Sequence, residues 1–177
     1  MSRAVLSLGS NLGDRFAHLR TAVDGFAAGL VAASPVYETA PWGGVEQDDF
    51  LNAVIVVEAP GVDAWGWLRR GQELEDLACR VREVRWGPRT LDVDVVTVDV
   101  VTTGGAGAPV HSNHPDLLLP HPGTRTRATV LRPWLDVDPD AVLPGHGSVA
   151  GLLAALGPGA EDGMRRRDDL VLARPQR

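Results

Sequence analysis

Residues 85–101 read Arg-Trp-Gly-Pro-Arg-Thr-Leu-Asp-Val-Asp-Val-Val-Thr-Val-Asp-Val-Val: a basic, proline-bent segment running into an apolar strand. Successive side chains of a strand point to opposite faces, so Asp92 and Asp94 share a face with their backbones ~6.5 Å apart. Carboxylates that close repel one another, and in a run of Val and Leu their burial is costly without a cationic partner. A solvated strand face is the plain alternative. The cation that suits the pair is magnesium, which usually meets a protein through one or two carboxylates together with substrate phosphates. By the same alternation Asp99 falls on the opposite face and is not expected to be a ligand.

Just upstream, Arg80, Arg82, Arg85 and Arg89 form a basic cluster after Glu73, Glu75 and Asp76. Cations are favoured at a helix C-terminus in any case. Beside the Asp pair, phosphate binding is the better account, and an arginine loop closing on a triphosphate would stabilise charge in phosphoryl transfer. The stretch therefore reads as a magnesium–nucleotide site. A tryptophan next to a proline, as Trp86 is to Pro88 across Gly87, is more often packing than a ligand contact. One flanked by two arginines is a poor core residue, however, which makes Trp86 a candidate for ring stacking. Phe50 and Asn52 fall on one strand face as an aromatic surface and an amide, or equally as a core Phe and a turn Asn. His121, between two prolines and near Arg125 and Arg127, is a candidate phosphate contact. His111 and His114 have no third ligand nearby. Gly9-Ser10-Asn11-Leu12-Gly13-Asp14 lacks the glycine spacing and lysine of phosphate-binding fingerprints and reads as a turn and helix cap.

The chain contains 177 residues, and all 17 basic side chains are arginine. Without lysine, a Walker-type loop, a protein-kinase site and Schiff-base catalysis are excluded. A formal net charge of -6 argues against nucleic acid or anionic lipid as partners. The single cysteine, Cys79, excludes an internal disulfide and a Cys-rich zinc site. No run of the ~18 apolar residues of a membrane span occurs, nor a secretory signal, so a cytoplasmic protein, monomeric by default, is expected.

Periodicity outlines the elements. Residues 3–8 predict a strand, and a helix follows from about Asp14 with Phe16, Leu19, Val23, Phe26 and Leu30 at helical spacing. Residues 31–38 predict a strand broken at Pro35, which marks an edge or bulge. After a long loop over 39–49 come an apolar strand over 52–59, a helix over 62–79, the arginine loop and a strand over 91–101. That order is βαββαβ, a ferredoxin-like α+β core with a mainly antiparallel sheet, helices packed on it and a C-terminal extension. In the extension a short helical stretch runs through Arg132, and Ser148 caps a small helix ended by Gly157. One catalytic domain is expected over 1–157. Residues 158–177, rich in Pro, Gly and charge, are expected to form a loosely attached tail.

Five blocks match a family in order: Leu-Gly-Ser-Asn-Leu-Gly-Asp (8–14), Tyr-Glu-Thr-Ala-Pro-Trp-Gly (37–43), Phe-Leu-Asn-Ala (50–53), Arg-Trp-Gly-Pro-Arg-Thr-Leu-Asp-Val-Asp (85–94) and Leu-Pro-His-Pro (119–122). Together they closely resemble the 6-hydroxymethyl-7,8-dihydropterin pyrophosphokinases of folate synthesis. The resemblance implies transfer of an intact diphosphate from ATP to the pterin hydroxymethyl group, with release of AMP. It implies that Asp92 and Asp94 hold two magnesium ions, and that Arg80 and Arg82 close over the phosphates. It implies pterin contacts from Thr39, Ala40, Trp42, Phe50, Asn52 and Trp86. ATP contacts are implied for Gln72, Glu75, Arg85, Trp86, Arg89, His121 and Arg127. Thr129 stands where relatives often carry a second aromatic residue. Two rival readings share the fold: a palm-type nucleotidyltransferase, which would want a basic template groove, and a metabolite-sensing module, which would not need the Asp pair and arginine cluster together.

Overall fold

The computed structural model describes residues 1–41, 47–78, 89–102 and 107–173. Trp42, Arg80, Arg82, Arg85 and Trp86, all expected at the site, lie outside these residues.

The first strand, β1 (Ser2–Ser10), is followed by α1 (Arg15–Gly25), whose N-terminus is capped by Asp14 accepting the Ala17 N–H at 3.0 Å. The interrupted strand pair β2 (Leu30–Ala33) and β3 (Val36–Thr39) precedes the long strand β4 (Phe50–Ala59). Helix α2 (Ala64–Leu77), capped by Asp63, and β5 (Asp92–Val100) complete the core. β1 lies at the centre, antiparallel to both β4 and β5; β2 and β3 share the outer edge of β4. This is the βαββαβ order predicted, with its second strand broken at Ser34-Pro35. Pro35 cannot donate to the ladder. The Ser34 hydroxyl takes over there, accepting the Val54 N–H at 2.9 Å.

Beyond the core, β6 (Ala108–Pro109) adds two residues to the outer edge of β5, and β7 (Ser112–His114) and β8 (Leu117–Leu119) form a hairpin. A single 3-10 turn over 124–126 leads into α3 (Ala128–Val137). Sequence signals predict that this helical stretch ends near Arg132. It continues through Pro133, because Val130, Leu131 and Trp134 are buried against the sheet and outweigh the lost amide. The strands β9 (Val142–Leu143) and β10 (Gly147–Ser148) introduce α4 (Val149–Ala155), capped by Ser148 as expected.

The sheet has a core on each face. Ala4, Leu6, Leu8, Ile55, Val93 and Val95 pack against α1 and α2 with Leu19, Phe26, Trp67 and Leu74. Val5, Val54, Val56 and Val96 pack against α3 and α4 with Leu131, Trp134 and Val149. The register of β1 on β5 shifts between Val5 and Leu6, leaving Val96 as an extra residue. This bulge reverses the alternation beyond it. Asp99, opposite Arg3, therefore shares the face of Asp92 and Asp94 but sits at the far end of the strand.

The C-terminal segment also differs from the expectation of a loose tail. Arg165–Arg167 form β11, antiparallel to β3, so residues far past the core extend its sheet. Composition alone concealed this, since the strand is tied by charges on partners distant in sequence.

Candidate active site

At one end of the sheet, on the face that carries α3, the register lines up a row of side chains, of which Tyr37 donates its hydroxyl to Asp136 of α3 at 2.7 Å. Gly9 lies between Asn52 on β4 and Asp92 on β5, and Tyr37 and Thr39 on β3 flank Asn52 and Phe50. Asp94 follows Asp92 one step along the same face, opposite Ser7. Glycine keeps the middle of this row open. A Cβ at Gly9 would stand 3.5 Å from Asn52 Oδ1, 3.8 Å from the Phe50 ring and 3.9 Å from Asp92 Cβ.

The pterin-side residues predicted within the described chain converge here. The Asn52 amide donates to the Thr39 hydroxyl at 2.7 Å, and the Arg89 guanidinium lies 5.8 Å above the Phe50 ring. Ala40 follows Thr39 directly and is exposed.

The charged half is built around the two aspartates. Arg89 donates to Asp92. Arg127 Nη1 stands 3.9 Å and His121 Nε2 4.0 Å from opposite oxygens of Asp94. Lost hydration, and then the neighbouring Asp92, push the Asp94 carboxyl above its ordinary range, with His121, Arg127 and Arg89 opposing. A third of its side chain still meets solvent. A carboxylate pair that gains from an added cation, open on one side, suits a magnesium ion whose remaining ligands are phosphate and water. Among the described residues no cluster of three or more His, Cys, Asp or Glu side chains could hold a metal by itself.

Two connections that the sequence reading missed hold this arrangement. Asn11, assigned above only to a turn, is buried and accepts the Arg89 N–H at 2.8 Å, while its amide donates to Gln47 Oε1 and the Asp48 carbonyl, each at 3.0 Å. Its side chain thus joins the ends of β1, β4 and β5. The bulge at Val96 frees a carbonyl that accepts the His121 N–H at 2.9 Å, pinning the 121–127 segment over β5. The Gly123 N–H in turn donates to His121 Nδ1 at 3.3 Å, which leaves Nε2 to carry the proton towards Asp94.

Gln72 and Glu75 come from the other side of the sheet. Gln72 is exposed on α2, whereas Glu75 is buried and accepts the Val93 N–H at 2.8 Å. Between them and the Asp pair lies the outer edge of β5, which β6 covers only at Asp99 and Val100. A cavity of about 440 Å³ at the opposite end of the sheet touches Met1, Trp65, Val98 and His111, and the described residues of its wall include neither arginine nor an acid pair.

Residues 5–139 match the family described as 7,8-dihydro-6-hydroxymethylpterin-pyrophosphokinase, or HPPK. The chain belongs to this family. It is 50% identical over 168 residues to the 2-amino-4-hydroxy-6-hydroxymethyldihydropteridine pyrophosphokinase of Mycobacterium tuberculosis, covering 93% of this chain and 89% of that one. The Mycobacterium leprae protein of the same name is 51% identical over 169 residues, with 93% and 88% coverage. The Pseudomonas aeruginosa protein is 34% identical over 159 residues, with 88% and 92% coverage. Among solved structures, a Plasmodium falciparum HPPK-DHPS superimposes with a TM-score of 0.67 at 14% identity, covering 93% of this chain and 47% of that one. The chain thus spans about half the length of that structure, and the likeness establishes the fold. Membership makes this chain an enzyme of the pyrophosphokinase class, with ATP as co-substrate.

Proposed function

We propose that this HPPK transfers diphosphate from ATP to the hydroxymethyl group of 6-hydroxymethyl-7,8-dihydropterin, releasing AMP, as a step of folate biosynthesis. The observation that carries this reading is the juxtaposition, on one sheet face, of an acid pair ringed by cations with an open amide-and-aromatic surface. A palm-type nucleotidyltransferase would leave that second surface unexplained, and a sensing module would leave the acid pair unexplained.

Phe50 stacks on the pterin ring, Asn52 and Thr39 hydrogen-bond its edge, and Ala40, Trp42 and Trp86 complete the pocket. Gly9 leaves room for the ring beside Asp92. Asp92 and Asp94 would hold two magnesium ions, which would supply positive charge against the phosphates during transfer. Arg89 then exchanges its carboxylate partner for phosphate, joined by Arg85, Arg127 and the Nε2–H of His121. Gln72 and Glu75 contact the nucleotide across the outer edge of β5. Arg80 and Arg82 close over the phosphates during transfer. Described residues near the hydroxyl position include no strong general base, so orientation and charge neutralisation dominate, with Asp94 as the available proton acceptor. The compartment proposed for this chemistry is the cytoplasm, where ATP is available.

Incubation with Mg-ATP and the reduced hydroxymethylpterin should yield AMP and a pterin diphosphate in equal amounts. Release of pyrophosphate, or no turnover, would overturn the reading. Arg80→Ala should lower kcat far more than ATP affinity; an unchanged single-turnover rate would remove that arginine from the chemistry.

A further inference from the structure

The three consecutive arginines of β11 have no part in the chemistry above. They lie along the outer edge of β3, with Arg165 opposite Glu38, Arg166 opposite Tyr37 and Arg167 opposite Val36. β3 is a four-residue strand that follows Pro35 and is paired to β4 only at Tyr37, Glu38 and Thr39. Short edge strands of this kind open locally with ease.

Glu38 counters that tendency. Its side chain, only 11% exposed, accepts from Arg165, from Arg167 at 3.0 Å and from Arg15 at 2.9 Å. Arg15 also donates to the Asp49 carbonyl at 2.8 Å, immediately before β4. Arg167, 22% exposed, is itself held by Asp169 at 2.7 Å and is the firmer of the two β11 anchors; Arg165, 69% exposed, is screened by water. The carboxylate therefore ties α1, the approach to β4 and the C-terminal strand to one point of β3. The next residue is Thr39, whose hydroxyl receives the Asn52 amide.

We propose that β11 is a positioning element of the pterin pocket: Arg165 and Arg167, acting through Glu38, hold the end of β3 so that Thr39 stays in register with Phe50 and Asn52. This rests on the reading that those three residues face the pterin. Neither arginine touches substrate. The acid pair lies on β5, three places from β3 in the sheet with β4 and β1 between them. Loss of the clamp therefore frays the pterin wall and leaves the ATP side in place.

The full-length chain carrying Arg165→Gln and Arg167→Gln together tests this, beside the Lys pair at the same positions and Asn52→Ala. The readouts are KM and kcat for 6-hydroxymethyl-7,8-dihydropterin, and the Kd of a nonhydrolysable ATP analogue with magnesium. The Gln pair should raise the pterin KM about fivefold or more while kcat and analogue affinity stay within about twofold, and the Lys pair should recover most of the loss. An unchanged pterin KM in the Gln pair, with a raised KM in Asn52→Ala, would overturn the positioning role and leave the pterin site standing. Equal losses of pterin and nucleotide binding would also overturn it, as general loosening. If neither variant moves the pterin KM, the pterin reading falls and the inference with it. Should the Gln pair not fold, Glu38→Gln, which keeps the side-chain shape and removes the charge, is judged by the same outcomes.

Discussion

At Gly9 the absence of a side chain is itself part of the site. An alanine there would meet Asn52, Phe50 and Asp92 at ordinary contact distances, so the fold tolerates it while the methyl group occupies the space between them. Gly9→Ala should raise the pterin KM several-fold with little change in Tm; an unaltered KM would show that the ring does not sit there. Asn52→Ala should weaken pterin binding alone, and an equal loss of ATP binding would point to misfolding. Asp94→Ala should cut turnover by about a thousandfold, the scale on which removing a charge-stabilising group acts. Its Tm should not fall, since a crowded carboxylate pair is relieved. A wild-type rate in that variant would remove the metal-holding role.

Among the elements, the seating of α2 beneath β5 decides how the aspartates are presented. Gly71 allows the helix to approach until a Cβ would stand 3.0 Å from Val93, and Glu75 then reaches the Val93 N–H, between the two aspartates. Glu75→Ala leaves that buried donor without its carboxylate and should cost about 1–3 kcal/mol in urea unfolding. Glu75→Gln keeps an acceptor and should recover most of that stability. If Glu75 also contacts nucleotide, the Gln variant will still bind ATP more weakly; equal affinity would confine it to bracing β5. The break between β2 and β3 was legible because proline has no N–H to give. The bulge at Val96 was not, since nothing in a run of valines marks which residue the ladder will skip. Yet that bulge supplies the carbonyl that anchors His121.

On the scale of the whole molecule, the clamp at Glu38 joins α1 and β3 to β11 and makes stability depend on acid. Hydrogen bonding to Arg165, and then to Arg15 and Arg167, brings the Glu38 carboxyl from its ordinary 4.5 down to about 2. A depressed native value means that the clamp stabilises fully above about pH 4.5 and loses its contribution as pH falls towards 2. Between those limits the Tm of the wild-type chain should fall more steeply than that of Glu38→Gln; parallel curves would show that the clamp does not contribute.

By itself, the order of residues determined the βαββαβ core, the acid pair on one strand face, the arginine-rich approach and the Phe50–Asn52 surface. Each follows from periodicity or from contacts within a few positions. Only the tertiary structure decided that Asn11 joins three strand ends, that Glu75 braces β5 from beneath, and that residues 165–167 become a sheet strand. Those outcomes depend on hydrogen bonds and ion pairs between residues 18 to 129 positions apart. Local pattern carries no record of such partners, because the energy that selects them exists only once the sheet has assembled.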